Sequence, residues 1–238
     1  MFIVDPGAPR GLQSPDDVLS RLERRLPPLL SVIAGMVDLT GFLTLGNLFT
    51  AHITGNIVVI AALTVRGGRI NPAQILAVPM FIVAVAGTAL LARGSGKRGL
   101  GLLRLLLWVQ FVVLTVVFIF SVITKPSAAP HGLMGVIAAM MAVSAMACQF
   151  ALLRLVWPVA PSTAVMTGNL TNATLLAIDA VARHRAPPPA ALARLKATLS
   201  LVIGFFGGCV AAGIGVVYIS DWAWSLPVVL AAIATVLR

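Results

Sequence analysis

Long apolar runs separated by short polar and basic segments make up most of the chain. Six such runs cover residues 28–48, 73–92, 101–123, 132–153, 195–219 and 222–237. A transmembrane helix needs roughly 20 apolar residues at about 1.5 Å of rise per residue, and most of the six runs are that long. They are rich in Leu, Ala, Val and Gly, which favours helices over barrel strands. The pattern therefore predicts an all-α integral membrane protein built as a helical bundle.

Composition and charge agree with a bilayer as the surrounding solvent. Of the 238 residues, 59% are hydrophobic and only 10% are charged, whereas a soluble domain carries about 25% charged residues. The formal net charge is +10, but the Lys and Arg residues lie between the apolar runs, where they indicate orientation by the positive-inside rule. The lipid bilayer is therefore an expected partner, and nucleic acid is not.

Residues 1–27 precede the first long run and are predicted to form a cytoplasmic segment with an amphipathic helix on the membrane surface. An N-cap residue, a proline at the first helical position and two acids in the first turn would start this helix: Ser14, Pro15, Asp16 and Asp17. Its apolar residues share one face: Val18, Leu19, Leu22 and Leu26. Arginines occupy the rest of the helix: Arg21, Arg24 and Arg25. A plain cytoplasmic extension is the alternative.

A Thr-Gly-Asn triplet occurs twice in matched surroundings. The two copies are Thr54-Gly55-Asn56 and Thr167-Gly168-Asn169. Asp38 precedes the first triplet by 16 residues, and Gln149 precedes the second by 18. Each triplet is followed by an apolar stretch, a basic loop and two further apolar runs. The matched order predicts an internal duplication, with membrane repeat 1 in residues 28–124 and membrane repeat 2 in residues 125–238.

The apolar stretches that begin at the triplets are poor candidates for complete spans. Residues 54–65 would form a helix of about 18 Å, roughly half of a ~30 Å hydrocarbon core, and residues 167–182 begin with several polar side chains. Two topologies are open: six spans with two short re-entrant or broken helices, or eight spans.

Charge placement favours six spans, because fewer basic residues then fall outside. With a cytoplasmic N-terminus, six spans leave three basic residues outside: Arg66, Arg69 and Lys125. Eight spans leave five outside: Arg93, Lys97, Arg98, Arg104 and Arg154. Another basic pair, Arg183 and Arg185, follows the second triplet's stretch. With three spans in each repeat, the second repeat would insert upside down relative to the first, as in inverted-repeat transporters.

Polar residues in these segments are candidates for a solute site near the bilayer midplane. A triplet at the start of a half-helix would point free N–H groups and the positive end of the helix dipole at a central cavity, which suits an anion or a polar group. The alternative is that Thr and Asn side chains only bond helices together, with Gly allowing close contact. The candidate residues are Asp38, His52, Thr54, Gly55, Asn56, Gln149, Thr167, Gly168, Asn169 and Asn172.

Asp38 and His52 carry the titratable chemistry of this set. A carboxylate near the middle of the first span is costly, so Asp38 is expected to couple protons, bind a cation, pair with a group from outside its own span, or stay protonated in a structural role. His52 is interpreted as a hydrogen-bonded loop histidine, with a proton shuttle or solute ligand as the alternative. Gln149 supplies polarity without charge at the corresponding place.

Three segments carry a resemblance to a known family. They are Gly35-Met36-Val37-Asp38, residues 52–59 (HITGNIVV) and residues 165–172 (VMTGNLTN). Over roughly residues 28–237 the chain resembles the YoaK-like bacterial membrane proteins, an uncharacterised family. The resemblance implies a multi-pass protein of the bacterial inner membrane, and it implies no particular substrate. The charge pattern places the N-terminus in the cytoplasm.

Familiar catalytic and cofactor patterns are missing from the sequence. It has no phosphate-binding loop, no Cys/His metal spacing, no nucleophile elbow and no dinucleotide fingerprint, so we expect no cofactor, no metal and no enzymatic activity. The leading hypothesis is a secondary transporter or channel-like permease for a small polar or anionic solute. The alternative is a non-transporting membrane partner or assembly protein in which the motifs only pack helices. A homo-oligomer is compatible with either.

Overall fold

A computed structural model describes residues 15–68, 70–158, 160–182 and 189–237, and all regular structure in these ranges is helical. Its α-helices are α1 Pro15–Thr44, α2 Ile53–Arg66, α3 Pro72–Gly94, α4 Gly99–Thr124, α5 Leu133–Val156, α6 Met166–Ala182, α7 Pro189–Ile219 and α8 Ser225–Val236. Short 3-10 helices join α4 to α5 and α7 to α8. The predicted all-α class is confirmed. Ser14, Arg69, Arg183 and Arg185 lie outside the described residues.

Several of these helices are long and apolar enough to cross a bilayer. The qualifying stretches are Arg21–Thr44, Pro72–Gly94, Gly99–Thr124, Leu133–Val156 and Ala191–Val236, the last of which contains both α7 and α8. Large apolar side chains cover their outer faces, for example Ile82, Val83, Ile203 and Phe206, which are 62–68% exposed. An apolar surface of this extent fits lipid and not water. The chain is therefore a membrane-embedded helical protein.

The amphipathic N-terminal segment is helical, but it is not a separate helix. It forms the first part of α1, which continues through Pro27 and Pro28 without a break. Leu22 and Leu26 are buried inside the protein. The apolar face that was expected to lie on the membrane surface thus packs against other helices, and this packing offsets the two hydrogen bonds that the prolines remove.

The helices of the two halves pack in matched pairs. Helix α1 lies along α7, and α5 lies along α3. Helix α2 packs on α3, and α6 packs on α7. Helix α4 contacts α5, and α8 contacts α1. Exchanging the first four helices for the last four reproduces these six contacts, which is the pattern that two related halves would give.

The loop before the first short helix, α2, enters the bundle, and α2 leaves it on the same side. The loop after α1 lies beside the start of α3, where Asn71 Nδ2 donates to the Leu45 carbonyl oxygen at 2.9 Å. The chain then returns inward to Asp38, about 9 Å before the end of α1 at six residues of helical rise. Helix α2 runs back out from this point to Arg66. It is a re-entrant helix.

Helix α6 has the same arrangement at the opposite end of the bundle. Thr163, in the loop before α6, lies beside Gln149, which is seven residues before the end of α5. Helix α6 therefore starts inside the bundle and runs outward on the side from which α7 begins. The described residues thus contain five long apolar stretches, and α2 and α6 enter the bundle from opposite ends. With α8, which has only 12 residues, counted as a separate span, this arrangement agrees with six spans and two re-entrant helices.

Candidate functional site

The Asp38 carboxylate binds the loop that leads into α2. Its Oδ1 accepts hydrogen bonds from the backbone N–H groups of Thr50 at 2.8 Å and Ala51 at 2.7 Å, with that of His52 at 3.4 Å. Asp38 is 4% exposed. These donors compensate the desolvation of a charge at this depth. The N–H groups of the loop before α2 are therefore bonded to the protein's own carboxylate.

The second carboxylate oxygen of Asp38 pairs with His52. Asp38 Oδ2 lies 2.7 Å from His52 Nδ1. The partner of Asp38 thus comes from outside its own helix, and His52 is a hydrogen-bonded loop residue that immediately precedes α2. With the carboxylate ionised, Nδ1 carries the proton and donates it, which leaves Nε2 as an acceptor. The side chain of His52 is 37% exposed, so this nitrogen is able to exchange a proton or bind a polar group.

A cavity of about 490 Å³ adjoins the Asp38–His52 pair, between α1, α2 and α7. Aromatic rings form much of its wall. The His52 ring lies edge-on to Phe205, with ring centres 5.2 Å apart, and Phe49 stacks at a tilt on Phe42 at 4.9 Å. Leu39, Val58 and Cys209 also line the cavity. The site is thus an open, mostly apolar pocket with one carboxylate–imidazole pair in its wall.

The asparagines of the two triplets are used inside the protein. Asn56 is fully buried, donates from Nδ2 to the Phe49 carbonyl at 2.8 Å and accepts from the Phe49 N–H at 2.9 Å. Asn169 donates from Nδ2 to the Ser162 carbonyl at 2.6 Å. In both halves the partner lies seven residues before the asparagine. Each asparagine therefore fastens the re-entrant loop to the helix that follows it, which favours the packing interpretation for this residue.

Neither triplet threonine is the cap of its helix. Helix α2 begins at Ile53, and α6 begins at Met166, so each threonine is the second helical residue. The loop before α2 is held by Asp38 from another helix. In the loop before α6, the Ser162 hydroxyl accepts from the Val165 N–H at 3.2 Å. In both halves, a side chain outside the triplet thus holds the loop that precedes the helix.

The remaining triplet positions differ between the two halves. Thr54 lines the cavity. At Gly55 a Cβ would lie 3.0 Å from the Phe49 ring, so this glycine allows the ring to pack close. Thr167, Gly168 and Asn172 are exposed, and a Cβ at Gly168 would meet nothing within 4 Å. The second triplet thus has no counterpart of the close ring contact in the first.

Gln149 is enclosed by hydrogen bonds and faces no solute space. Its Nε2 donates to the Leu30 carbonyl at 2.9 Å and to the Thr163 hydroxyl at 3.0 Å, and its Oε1 accepts from Gln110 at 2.7 Å. Ser31 also donates to the Thr163 carbonyl at 2.9 Å. Gln149 therefore joins α1, α4, α5 and the second re-entrant loop. Its role is to hold helices together.

The two re-entrant loops contact α1 at separate heights. The first contacts Asp38, and the second contacts Ser31, about two turns or roughly 10 Å away along the helix. Helices α2 and α6 pack on α3 and α7 rather than on each other. The two half-helix starts, which were expected to meet around one central site, instead lie along α1 at different levels.

Sequence reasoning missed the threonines that bind the two central polar residues. Thr50 contacts Asp38, Thr163 contacts Gln149, and each lies four residues before the triplet threonine. That equal spacing was a usable signal. Phe205 and Cys209 were missed for a different reason: they come from α7, far along the chain, and nothing in their local pattern marks a cavity wall.

Replacing Asn56 by alanine is expected to lower the free energy of unfolding by about 2–4 kcal/mol. The substitution leaves the N–H and the carbonyl of Phe49 without partners, and each unmade bond costs about 1–2 kcal/mol. Asn169→Ala removes one bond and should cost about half as much. Chemical unfolding in detergent measures both values, with Asn172→Ala as the exposed control. Equal stability of Asn56→Ala and the control would contradict the fastening role.

Comparison with known proteins identifies one family. No curated protein and no solved structure matches the chain. A family model described as "Protein of unknown function (DUF1275)" matches residues 26–237. The matched range runs from within α1 to the end of α8 and contains the Asp38–His52 pair and both triplets. With nearly nine tenths of its length covered by this match, the chain belongs to the DUF1275 family.

Proposed function

We propose that the protein is a proton-coupled secondary transporter and that Asp38 and His52 are its proton-binding pair. One observation carries the proposal: a buried carboxylate and an imidazole bond each other in the wall of a cavity at the inner end of a re-entrant helix. Intramembrane ionisable groups that face cavities are typical of proton relays in transporters. The opposed entry of α2 and α6 supports the same class of protein.

The cavity wall favours a small solute with an apolar body and one polar group. Phe42, Phe49 and Phe205 offer surface for the apolar part, and His52 and Thr54 offer hydrogen bonds to the polar part. The sequence favoured a polar or anionic solute at the helix start. Since the Asp38 carboxylate lies beside the start of α2, an acidic solute would meet a like charge there and would have to interact with a protonated His52 instead.

Coupling would follow from the charge of the pair. When a proton binds His52 Nε2, the imidazolium and the Asp38 carboxylate form an ion pair, and Nε2 becomes a donor to an acceptor atom of the solute. Loss of that proton on the other side of the membrane removes the donor and weakens binding of the solute. Proton and solute then move in the same direction.

The distribution of basic residues supports an orientation with the N-terminus in the cytoplasm. Among the described side chains, Arg66 and Lys125 lie at the end of the bundle where α1 finishes. The other described Lys and Arg residues lie toward the end where α1 begins, and this end is the cytoplasmic one by the positive-inside rule. We also propose a bacterial inner-membrane location, in keeping with the resemblance to the YoaK-like proteins.

Replacing His52 by phenylalanine should strongly reduce solute-driven proton movement. Phenylalanine keeps a ring against Phe205 but binds no proton. Loss of a hydrogen bond to a charged group costs about 1.5–3 kcal/mol, so flux should fall about tenfold or more. Proteoliposomes containing a pH-sensitive dye and challenged with a panel of small amines, carboxylic acids and alcohols provide the measurement.

A matched control exists in His131, which is exposed in the loop between α4 and α5. His131→Phe makes the same chemical change away from the cavity and should leave flux at the wild-type level. Wild-type flux in His52→Phe would remove the pair from the pathway and contradict the proposal.

A non-transporting partner or assembly protein is the second candidate. The bonds of Asn56, Asn169 and Gln149 favour it, because all three side chains hold parts of the fold together. In that case no member of the solute panel would move protons through the wild-type protein, while Asn56→Ala would reduce capture of a membrane partner in step with its loss of stability.

A further inference from the structure

A second cavity, here called the basic cavity, lies at the end of the bundle where α1 begins. It has a volume of about 650 Å³ and is bounded by α1, α7 and the loop before α6. Arg24, Arg194 and Lys196 are exposed and line it, together with one carboxylate, that of Glu23. Positive charge therefore exceeds negative charge around the opening. The basic cavity is remote from Asp38, which lies about 20 Å along α1 from Arg24 at helical rise.

Apolar surface forms the inner part of the basic cavity. Pro27 and Leu201 are buried and line it. On the neighbouring outer face of α7, Leu199 and Ile203 are 39% and 68% exposed. A ligand held at the cations thus has an apolar surface beside it that continues toward the lipid-facing side of the protein.

Pro27 and Pro28 remove two helical hydrogen bonds beside this cavity. Each proline lacks the N–H that would bond the carbonyl four residues earlier, so the carbonyls of Glu23 and Arg24 have no i+4 helical donor. The residues that carry these carbonyls line the same cavity. The site thus combines cationic donors with carbonyl acceptors, which matches a headgroup that contains both a phosphate and hydroxyl groups.

We propose that the basic cavity binds the headgroup of an anionic phospholipid. The phosphodiester would lie against Arg24, Arg194 and Lys196, and the acyl chains would follow the outer face of α7. Basic pockets between transmembrane helices on the cytoplasmic side bind such headgroups. A phosphodiester carries a single negative charge and tolerates Glu23 better than free phosphate with its higher charge. Asp179 lies in an adjoining cavity that Arg194 also lines. Its carboxylate likewise favours a ligand with a single negative charge over free phosphate.

Native mass spectrometry of the delipidated full chain tests this proposal, with phosphatidylglycerol and phosphatidylcholine as probes. The wild-type protein should retain phosphatidylglycerol in preference to phosphatidylcholine. The double variant Arg194→Gln, Lys196→Gln should lose about fivefold in affinity for each removed charge, or roughly 25-fold in total. Lys97→Gln, Arg98→Gln is the matched control, because it removes two exposed charges at the same end of the bundle and should leave retention unchanged.

Glu23→Gln provides a variant that should gain affinity. Removing this carboxylate should raise retention of phosphatidylglycerol by about fivefold, a result that a misfolded protein would not give. Three outcomes would overturn the proposal: equal losses in the two double variants, equal retention of phosphatidylcholine, or displacement of phosphatidylglycerol by millimolar inorganic phosphate. The last would identify a free-phosphate site.

Discussion

Replacing Asp38 by alanine should abolish solute-driven proton movement and lower the free energy of unfolding by about 3 kcal/mol or more. The carboxylate accepts from the N–H groups of Thr50 and Ala51 and pairs with the His52 ring, and alanine replaces none of these interactions. Water cannot easily take over at a position that is 4% exposed. Each buried donor left without a partner costs about 1–3 kcal/mol. Chemical unfolding in detergent and the dye assay measure the two effects.

Asp38→Asn separates the structural effect from the effect on proton binding. Asparagine keeps one oxygen for Thr50 and Ala51 but carries no charge, so it should retain much of the stability and still lose proton movement. Asp221→Asn is the control, since Asp221 is also a buried carboxylate but bonds Ser127 at the opposite end of the bundle from the basic cavity. Proton flux that survives in Asp38→Asn would show that this carboxylate is not required for coupling.

The sequence indicated the positions of the polar site residues more reliably than their roles. Long apolar runs predict helices directly, because length and composition suffice for a span. The first triplet also marked the correct loop, next to Asp38. However, Asn56 bonds residues that are close to it in the sequence, whereas the cavity wall includes residues that are distant in the sequence. Phe205 belongs to a helix that the chain forms about 150 residues later. No local pattern can reveal such a neighbour.

The two halves share the triplet and its hydrogen bonds, but they differ in their titratable groups. Each asparagine bonds seven residues back, and each central polar residue contacts a threonine four residues before the triplet. The titratable groups do not repeat: Gln149 stands in the place of Asp38, and Val165 in the place of His52. The second loop is therefore held by neutral hydrogen bonds, and the Asp38–His52 pair has no counterpart there.

The glycines of α7 show that the sequence also does not identify which residues make a helix contact. Small residues at Gly207 and Gly208 predict a close helix contact, but the sequence does not say which of them makes it. In the structure a Cβ at Gly208 would overlap the Val32 carbonyl oxygen and lie 3.1 Å from the Met36 nitrogen. A Cβ at Gly35 would likewise overlap the Phe205 carbonyl oxygen, whereas one at Gly207 would meet nothing within 4 Å.

Gly208→Ala should therefore lower the free energy of unfolding by about 3 kcal/mol or more, while Gly207→Ala should change it by about 1 kcal/mol or less. The added methyl group at 208 meets backbone atoms of α1, which cannot rotate away as a side chain would, so the helices must separate. At 207 the methyl group faces open space and improves helix propensity. Gly208 lies between Phe205 and Cys209, which line the cavity, so separation should also reduce flux. Similar stability of the two variants in chemical unfolding would contradict the close α1–α7 contact and, with it, the position of the cavity wall.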